Sequence, residues 1–137
     1  MNRQEIFDKI SSGLLAQGAV CMRIIASKGA KALRLAYRGE GGCRCAAGFL
    51  IPDILYRPEM EGHLFSDEIF KNVRAWIGIS REDIQFITFL QRVHDNWPPS
   101  AWREELAALG IRFNLDISAI WPLSNPQPSS LEDRKDE

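Results

Sequence analysis

The stretch Arg81–Asp95, REDIQFITFLQRVHD, sets the hardest condition on any fold this chain can adopt. Wound as a helix at ~100° per residue, it turns Phe86, Ile87, Phe89, Leu90 and Val93 into a wide apolar arc. Gln85, Thr88, Arg92 and Asp95 share only a narrow polar edge. A helix apolar over most of its circumference must be surrounded by other elements. The sequence therefore predicts a central helix. Ser80 with Asp83 three residues later marks its start, and Trp97-Pro98-Pro99 breaks it, because neither proline donates a backbone hydrogen bond.

Three further helices can supply the cover. Asn2 with Glu5 forms a capping box ahead of Ile6, Ile10 and Leu14, and Gly18 suits a left-handed stop. Ser66, followed by Asp67 and Glu68, starts a second helix with Ile69, Val73 and Trp76 along one face, closed by Gly78. Ser100 caps AWREELAAL, in which Trp102, Leu106 and Leu109 align before Gly110 ends the helix.

Strand signals lie between these helices. Leu33, Leu35 and Tyr37 alternate with Arg34 and Arg38, a half-buried strand. Gly39–Gly42 reads as a turn, and Gly41–Ile51 as the return arm of a β-hairpin that puts Cys43 and Cys45 on one face. Residues 111–117, IRFNLDI, alternate strictly and give the strongest strand signal. Residues 19–26 fit a strand or a buried helical turn, with Val20, Met22 and Ile24 favouring the strand. The expectation is an α+β fold: a single domain over residues 1–121, with a small antiparallel sheet and about four helices packed against it. Residues 122–137 read as a disordered, Pro-rich, acidic tail with too little apolar surface to offset ordering entropy.

The formal net charge is −1, which supplies no global attraction to nucleic acid or membrane. Its distribution is uneven. Residues 1–50 hold eight Lys and Arg against three Asp and Glu; the remainder holds nine against fifteen. Arg23, Lys28, Lys31, Arg34 and Arg38 fall in a stretch without an acidic residue, either a basic face for nucleic acid or nucleotides or a segment neutralised by the acidic half. No apolar run approaches the ~20 residues of a membrane span, and the charged MNRQEIFDKI does not resemble a signal peptide. A cytoplasmic location is expected, and with it three reduced cysteines, Cys21, Cys43 and Cys45, without disulfides.

Candidate sites are few. Cys43, Cys45, His63 and His94 are zinc-ligand types, but a one-residue gap between cysteines fits structural zinc poorly, and no metal or cofactor is expected. Cys45 with His94 is one nucleophile–base pair to consider, and Glu59 with Glu61 one carboxylate pair. His94 falls on the apolar arc and reads as a structural histidine. Adjacent helical residues diverge by ~100°, so no direct His94–Asp95 contact is expected. The link after Pro52 mixes Asp53, Tyr56, Arg57, Glu59, Glu61 and His63. That is either a recognition loop on a rigid scaffold or a set of local caps, with Tyr56 and Met60 as plugs.

Several short blocks carry a resemblance: YRG (Tyr37–Gly39), CAAG (Cys45–Gly48), LIPD (Leu50–Asp53), Tyr56, PEMEG (Pro58–Gly62), LQRVHD (Leu90–Asp95) and Trp102. Together they resemble a family of small uncharacterised proteins of tailed bacteriophages, prophages and bacterial mobile elements. The resemblance spans roughly Asn2–Leu115, and the Cys45–Gly62 block is its specific part. Leu35 stands where a cysteine often precedes AYRG, and Val20–Arg34 is longer than the pattern. A pairing of that cysteine with Cys45 is therefore unavailable here. The resemblance implies a phage-type context and no particular reaction. The expected function is non-catalytic binding to a host or phage protein, with inhibition of a defence system such as CRISPR as one form. A nucleic-acid or nucleotide binder through residues 23–38 is the first alternative, and a small enzyme the second.

Overall fold

The computed structural model describes residues 1–27, 30–122 and 124. Lys28 and the expected tail, apart from Pro122 and Ser124, lie outside the described residues. The architecture is α+β, with four α-helices and one two-stranded antiparallel sheet. In chain order the elements are α1 (Arg3–Gln17), β1 (Met22–Ser27), β2 (Ala30–Leu35), α2 (Lys71–Ile77), α3 (Arg81–Asn96) and α4 (Pro99–Arg112). Short 3-10 turns at Glu40–Gly42, Ala47–Leu50, Pro58–Met60 and Glu68–Phe70 punctuate the long irregular stretch between β2 and α2.

The central helix forms as its periodicity requires. Ser80 accepts from the Asp83 amide while Asp83 accepts from the Ser80 amide, a complete capping box. Phe86, Ile87, Leu90, Val93 and His94 of α3 are buried. The cover comes from Ile6, Phe7, Ile10 and Leu14 of α1, from Trp102, Leu106 and Leu109 of α4, and from the Ala47–Leu50 turn. The Asn2–Glu5 capping box and the left-handed Gly18 (φ 65°) bound α1 as expected.

The sheet differs from the sequence expectation. The hairpin joins β1 to β2, with Met22 opposite Leu35 and Ile24 opposite Leu33. The strand reading of residues 19–26 thus holds, and the stretch through Leu35 is its partner. The return arm at 41–51 does not form. Glycines 41 and 42 turn the chain with positive φ, but pairing stops after one bridge, Arg38 with Arg44. The Ala47 amide is then captured by Gln91 Oε1 of α3 at 3.0 Å, and the chain winds into a buried 3-10 turn instead of extending.

The strongest strand signal also fails, for a definable reason. α4 runs through Gly110 to Arg112, and residues 113–117 form its exit rather than a strand. Asn114 takes a left-handed conformation (φ 59°). The Leu115 amide bonds Gly110 O at 2.8 Å and the Asn114 amide bonds Ile111 O at 3.0 Å. Those two bonds define a Schellman C-cap, in which asparagine replaces the usual glycine. The side-chain amide of Gln4 in α1 then clamps the Asp116 backbone, donating to its carbonyl at 2.8 Å and accepting from its N–H at 2.9 Å. α2 is also shorter than expected. A 3-10 turn precedes it, Ser66 provides no cap, and Trp76 is exposed while Val73 is buried.

Gly110 does not end α4; it lets helices pack. A Cβ there would stand 2.6 Å from Ile117 Cγ2 and 2.8 Å from Phe7 Cζ. Helix propensity alone favours Gly110→Ala by up to ~1 kcal/mol, but this contact reverses the sign. We expect Gly110→Ala to lose about 1–3 kcal/mol in urea denaturation through overpacking; a stabilised variant would contradict this packing.

Candidate functional site

The polar residues singled out in the sequence converge on the irregular stretch between β2 and α2, and two networks organise them. The first is centred on Glu61, whose side chain is only 6 % exposed. Its carboxylate accepts from the backbone N–H of Tyr37 (2.8 Å) and of Arg38 (3.1 Å), and from the Tyr56 hydroxyl (2.6 Å). Arg23 Nη1 lies 3.8 Å from the same carboxylate and donates to the Tyr56 hydroxyl at 3.0 Å. Burial, reinforced by the bond to Glu61, pushes the Tyr56 phenol above its usual range. Glu61 thus staples the 58–62 segment to the chain leaving β2, and its oxygens are committed.

Arg38 continues this network. Its guanidinium donates to Ile51 O at 2.9 Å, pairs with Asp53 at 2.8 Å and lies over the Tyr56 ring, 4.5 Å from the centroid. Arg44 reaches the same Asp53 oxygen at 3.2 Å. The acidic loop and the basic stretch therefore neutralise each other in part. Arg23 and Arg38 face the loop, and among the described residues Arg34 makes no ion pair and is exposed. The side chain of Lys31 lies outside the described residues. Arg57 and Glu59 are exposed. His63 is exposed, 3.4 Å from Asp67, and its carbonyl accepts from the Tyr37 hydroxyl.

The second network lies at the end of α3. Cys21 N–H donates to His94 Nε2 at 2.9 Å. An amide can only donate, so Nε2 must accept and the proton sits on Nδ1. Nδ1–H then donates to Asp95 Oδ1 at 2.7 Å. The expectation of no direct contact between these neighbours is thus overturned. Their Cα–Cβ directions diverge, but in the last turn the half-buried Asp95 carboxylate reaches back to the near nitrogen of the ring. Gln91 supports the pair, donating to Asp95 Oδ1 at 2.8 Å. His94 is wholly buried beside Trp102, with ring centroids 5.5 Å apart.

Cys21 is also disulfide-bonded to Cys43, with Cα atoms 5.3 Å apart. This corrects the expectation of three free thiols. The sequence spacing gave no hint, because the two cysteines meet only through the turn of the chain around the hairpin. With its sulfur in that bond, Cys43 is unavailable as a thiolate ligand. Cys45 is free and buried, and burial pushes its thiol up to about 12.

These geometries bear on the catalytic pairings. The basic nitrogen of His94 is occupied by a backbone amide, and the Cys45 thiol is held protonated in an apolar setting. Neither is poised for nucleophilic chemistry at neutral pH. Glu61 is equally committed, which leaves Glu59 without a free carboxylate partner in the suggested pair.

A cleft of about 190 Å³ opens between the networks, lined by Leu35, Tyr37, Cys45, His63, Leu64 and Asp95 among others. Two further grooves flank α2, the first between it and residues 54–60, the second between its end, the start of the chain and residues 49–53. One, of about 270 Å³, includes Ile54, Arg57, Met60, Ile69 and Asn72; the other, of about 330 Å³, includes Lys9, Phe49, Pro52, Asp53 and Trp76. Ile54 is 83 % exposed and Trp76 69 %. Sequence reasoning missed both. The sequence gives Ile54 no role beyond the link, although an isoleucine in an irregular, Pro-flanked segment has no periodic reason to be buried, and it aligns Trp76 with Ile69 and Val73 on one helical face. No family model, curated protein or solved structure matches the chain.

Two tests follow from the second network. Removing the imidazole of His94 leaves the Cys21 amide unpaired beside a new cavity. His94→Ala should cost about 2–4 kcal/mol in chemical denaturation; a loss below about 0.5 kcal/mol would refute its structural role. Cys45 should resist iodoacetamide in the native protein at pH 8. Unfolding without reductant should expose one reactive thiol, and unfolding with reductant three. A group ionising at 9.0 when unfolded and at about 12 when folded contributes stability that is complete below pH 9 and lost as pH rises toward 12.

Proposed function

We propose that this protein acts by non-catalytic binding to another protein, as an accessory protein of a phage or mobile element that occludes a host component, with a defence system such as CRISPR among the candidates. One observation carries the binding reading: Ile54 and Trp76 stand exposed, each lining one of the two grooves that flank α2. Large apolar side chains displayed beside concave surface, ringed by polar groups, are the usual composition of an interface centre. Arg57 lines the first groove as a polar member, and the nearby Glu59 is exposed. Tyr56 and Glu61 hold the loop in shape, with Asp53 and Arg38 beside them. The loop is therefore preorganised, which lowers the entropic cost of association.

The nucleic-acid reading has less support, since Arg23 and Arg38 are engaged by the loop. The enzyme reading lacks an activated nucleophile or a free base among the residues first considered for it. No helix among the described residues is long and apolar enough to cross a membrane. A cytoplasmic setting belongs to this proposal. There the Cys21–Cys43 bond would meet glutathione-type thiols, so its oxidation state in cells also reports the compartment.

The test is capture from host lysate with the wild-type chain, Ile54→Glu and Trp76→Glu. A protein retained in stoichiometric amount by the wild type should be lost by about tenfold or more with either variant, as expected for a hot spot worth ~1.4 kcal/mol or more. Both variants should melt within about 2 °C of the wild type, since neither side chain is in the core. Equal capture by all three proteins, or retention of nucleic acid with a steep salt dependence, would overturn the proposal.

A further inference from the structure

The β1–β2 hairpin has no part in the binding face above, and among the described residues no third strand pairs with it. The sheet has two strands, and the extensive contacts of each strand are with the other. Ala36 N–H donates to Cys21 O at 3.1 Å, so residues 21 and 36 occupy a hydrogen-bonded position of the antiparallel ladder. Such positions alternate. Arg23 opposite Arg34 is the next hydrogen-bonded pair, whereas Met22–Leu35 and Ile24–Leu33 are non-hydrogen-bonded pairs. At those pairs the backbone N–H and C=O point away from the partner strand. The β1 edge is covered at its root, because the chain at Gly39 lies against Met22 O: a Cβ at Gly39 would fall 2.1 Å from that oxygen. Leu35, at the root of β2, makes no backbone bond with the neighbouring loops among the described residues.

The two faces of this hairpin differ in chemistry. Ile24 is 55 % exposed and Leu35 42 %, and their register places them on one face. Leu35 also lines the cleft with Leu64, itself an exposed apolar residue, so the apolar strip runs from the hairpin into the cleft mouth. On the opposite face Arg34 is placed directly across from Arg23. Like charges in that position repel. Arg23 is drawn toward Tyr56 and Glu61, whereas Arg34 is left exposed without an ion pair among the described residues. Between Asp8 and Glu40 the chain offers no carboxylate to neutralise it.

We propose that the outer edge of β2 is a docking edge for an extended peptide segment of alternating apolar and acidic residues, which adds to the sheet as a third strand. Its apolar positions follow Ile24 and Leu35 toward the cleft, and its acidic positions lie beside Arg34. Main-chain bonds to the outward groups of β2 supply affinity, and the alternation of side chains supplies selectivity. This goes beyond the Ile54–Trp76 reading and uses none of its residues.

The probe is a fluorescein-labelled synthetic peptide, acetyl-Val-Glu-Val-Glu-Val-Glu-Val-amide, titrated with the full oxidised chain and read by anisotropy. Its lysine counterpart and a copy N-methylated at alternate amides serve as controls. The glutamate peptide should bind about threefold to tenfold tighter than the lysine peptide, as one directly opposite charge and its diagonal neighbours around Arg34 allow. Arg34→Glu should reverse that preference, and Leu35→Asp should weaken binding by about tenfold. N-methylation should abolish binding, and that control does not depend on a variant folding. Absence of saturable binding at millimolar protein, equal binding of the two charged peptides, or binding that survives N-methylation would each overturn the proposal.

Discussion

One hydrogen bond, from the Cys21 amide to His94 Nε2, joins the helical half of the molecule to the irregular half. It fixes the ring as the Nδ1–H tautomer, and that proton directs Asp95. Asp95 in turn orients Gln91, whose carbonyl oxygen holds the Ala47 amide. A single turn of α3 thereby positions the entry to the hairpin, the buried 3-10 turn and, through the disulfide, Cys43. Each link is buried or half-buried, where an unmade hydrogen bond costs about 1–3 kcal/mol. The arrangement is specific because alternatives leave a donor or acceptor unmatched.

Glu61 plays the corresponding part for the loop. Its buried carboxylate is matched by two backbone amides and a phenol, with Arg23 nearby. A charge in this position is tolerated because nearly every lone pair has a donor. The result is a rigid, mostly non-helical surface from residue 36 to residue 63. In this stretch side chains and short turns satisfy backbone groups that regular ladders satisfy in the helices. Gln17 adds to this by clamping the Arg44 backbone as a donor and an acceptor, both at 2.8 Å.

What was legible in the sequence was periodic or local. The capping boxes at Asn2 and Ser80, the apolar arc of α3, the left-handed Gly18 and a strand within 19–26, observed from Met22 onward, all depend on neighbours within a few residues, and all appear in the structure. The failures share one cause. At 111–117 alternation was a coincidence of a helix end followed by a clamped coil, and the deciding residue, Asn114, looked like one polar member of the pattern. At 43–51 the extended form lost to a long-range bond from Gln91. The Cys21–Cys43 pair and the contact of Glu61 with residues 37 and 38 likewise depend on tertiary meeting. The sequence marks the loop as the unusual region and allows local capping with Tyr56 as a plug, but it does not show Ile54 and Trp76 facing outward.

The disulfide has a topological consequence. By joining Cys21 to Cys43 it closes a covalent ring around both strands of the hairpin, with a sequence separation of 22. A backbone cut anywhere inside that ring would leave one molecule, not two. The root of the hairpin would stay anchored at both ends, since Cys21 is held by His94 and Cys43 is continuous with the buried 45–50 segment. The hairpin is therefore a natural place to open new chain termini or to graft a foreign segment, because the disulfide holds its two ends together independently of the backbone between them.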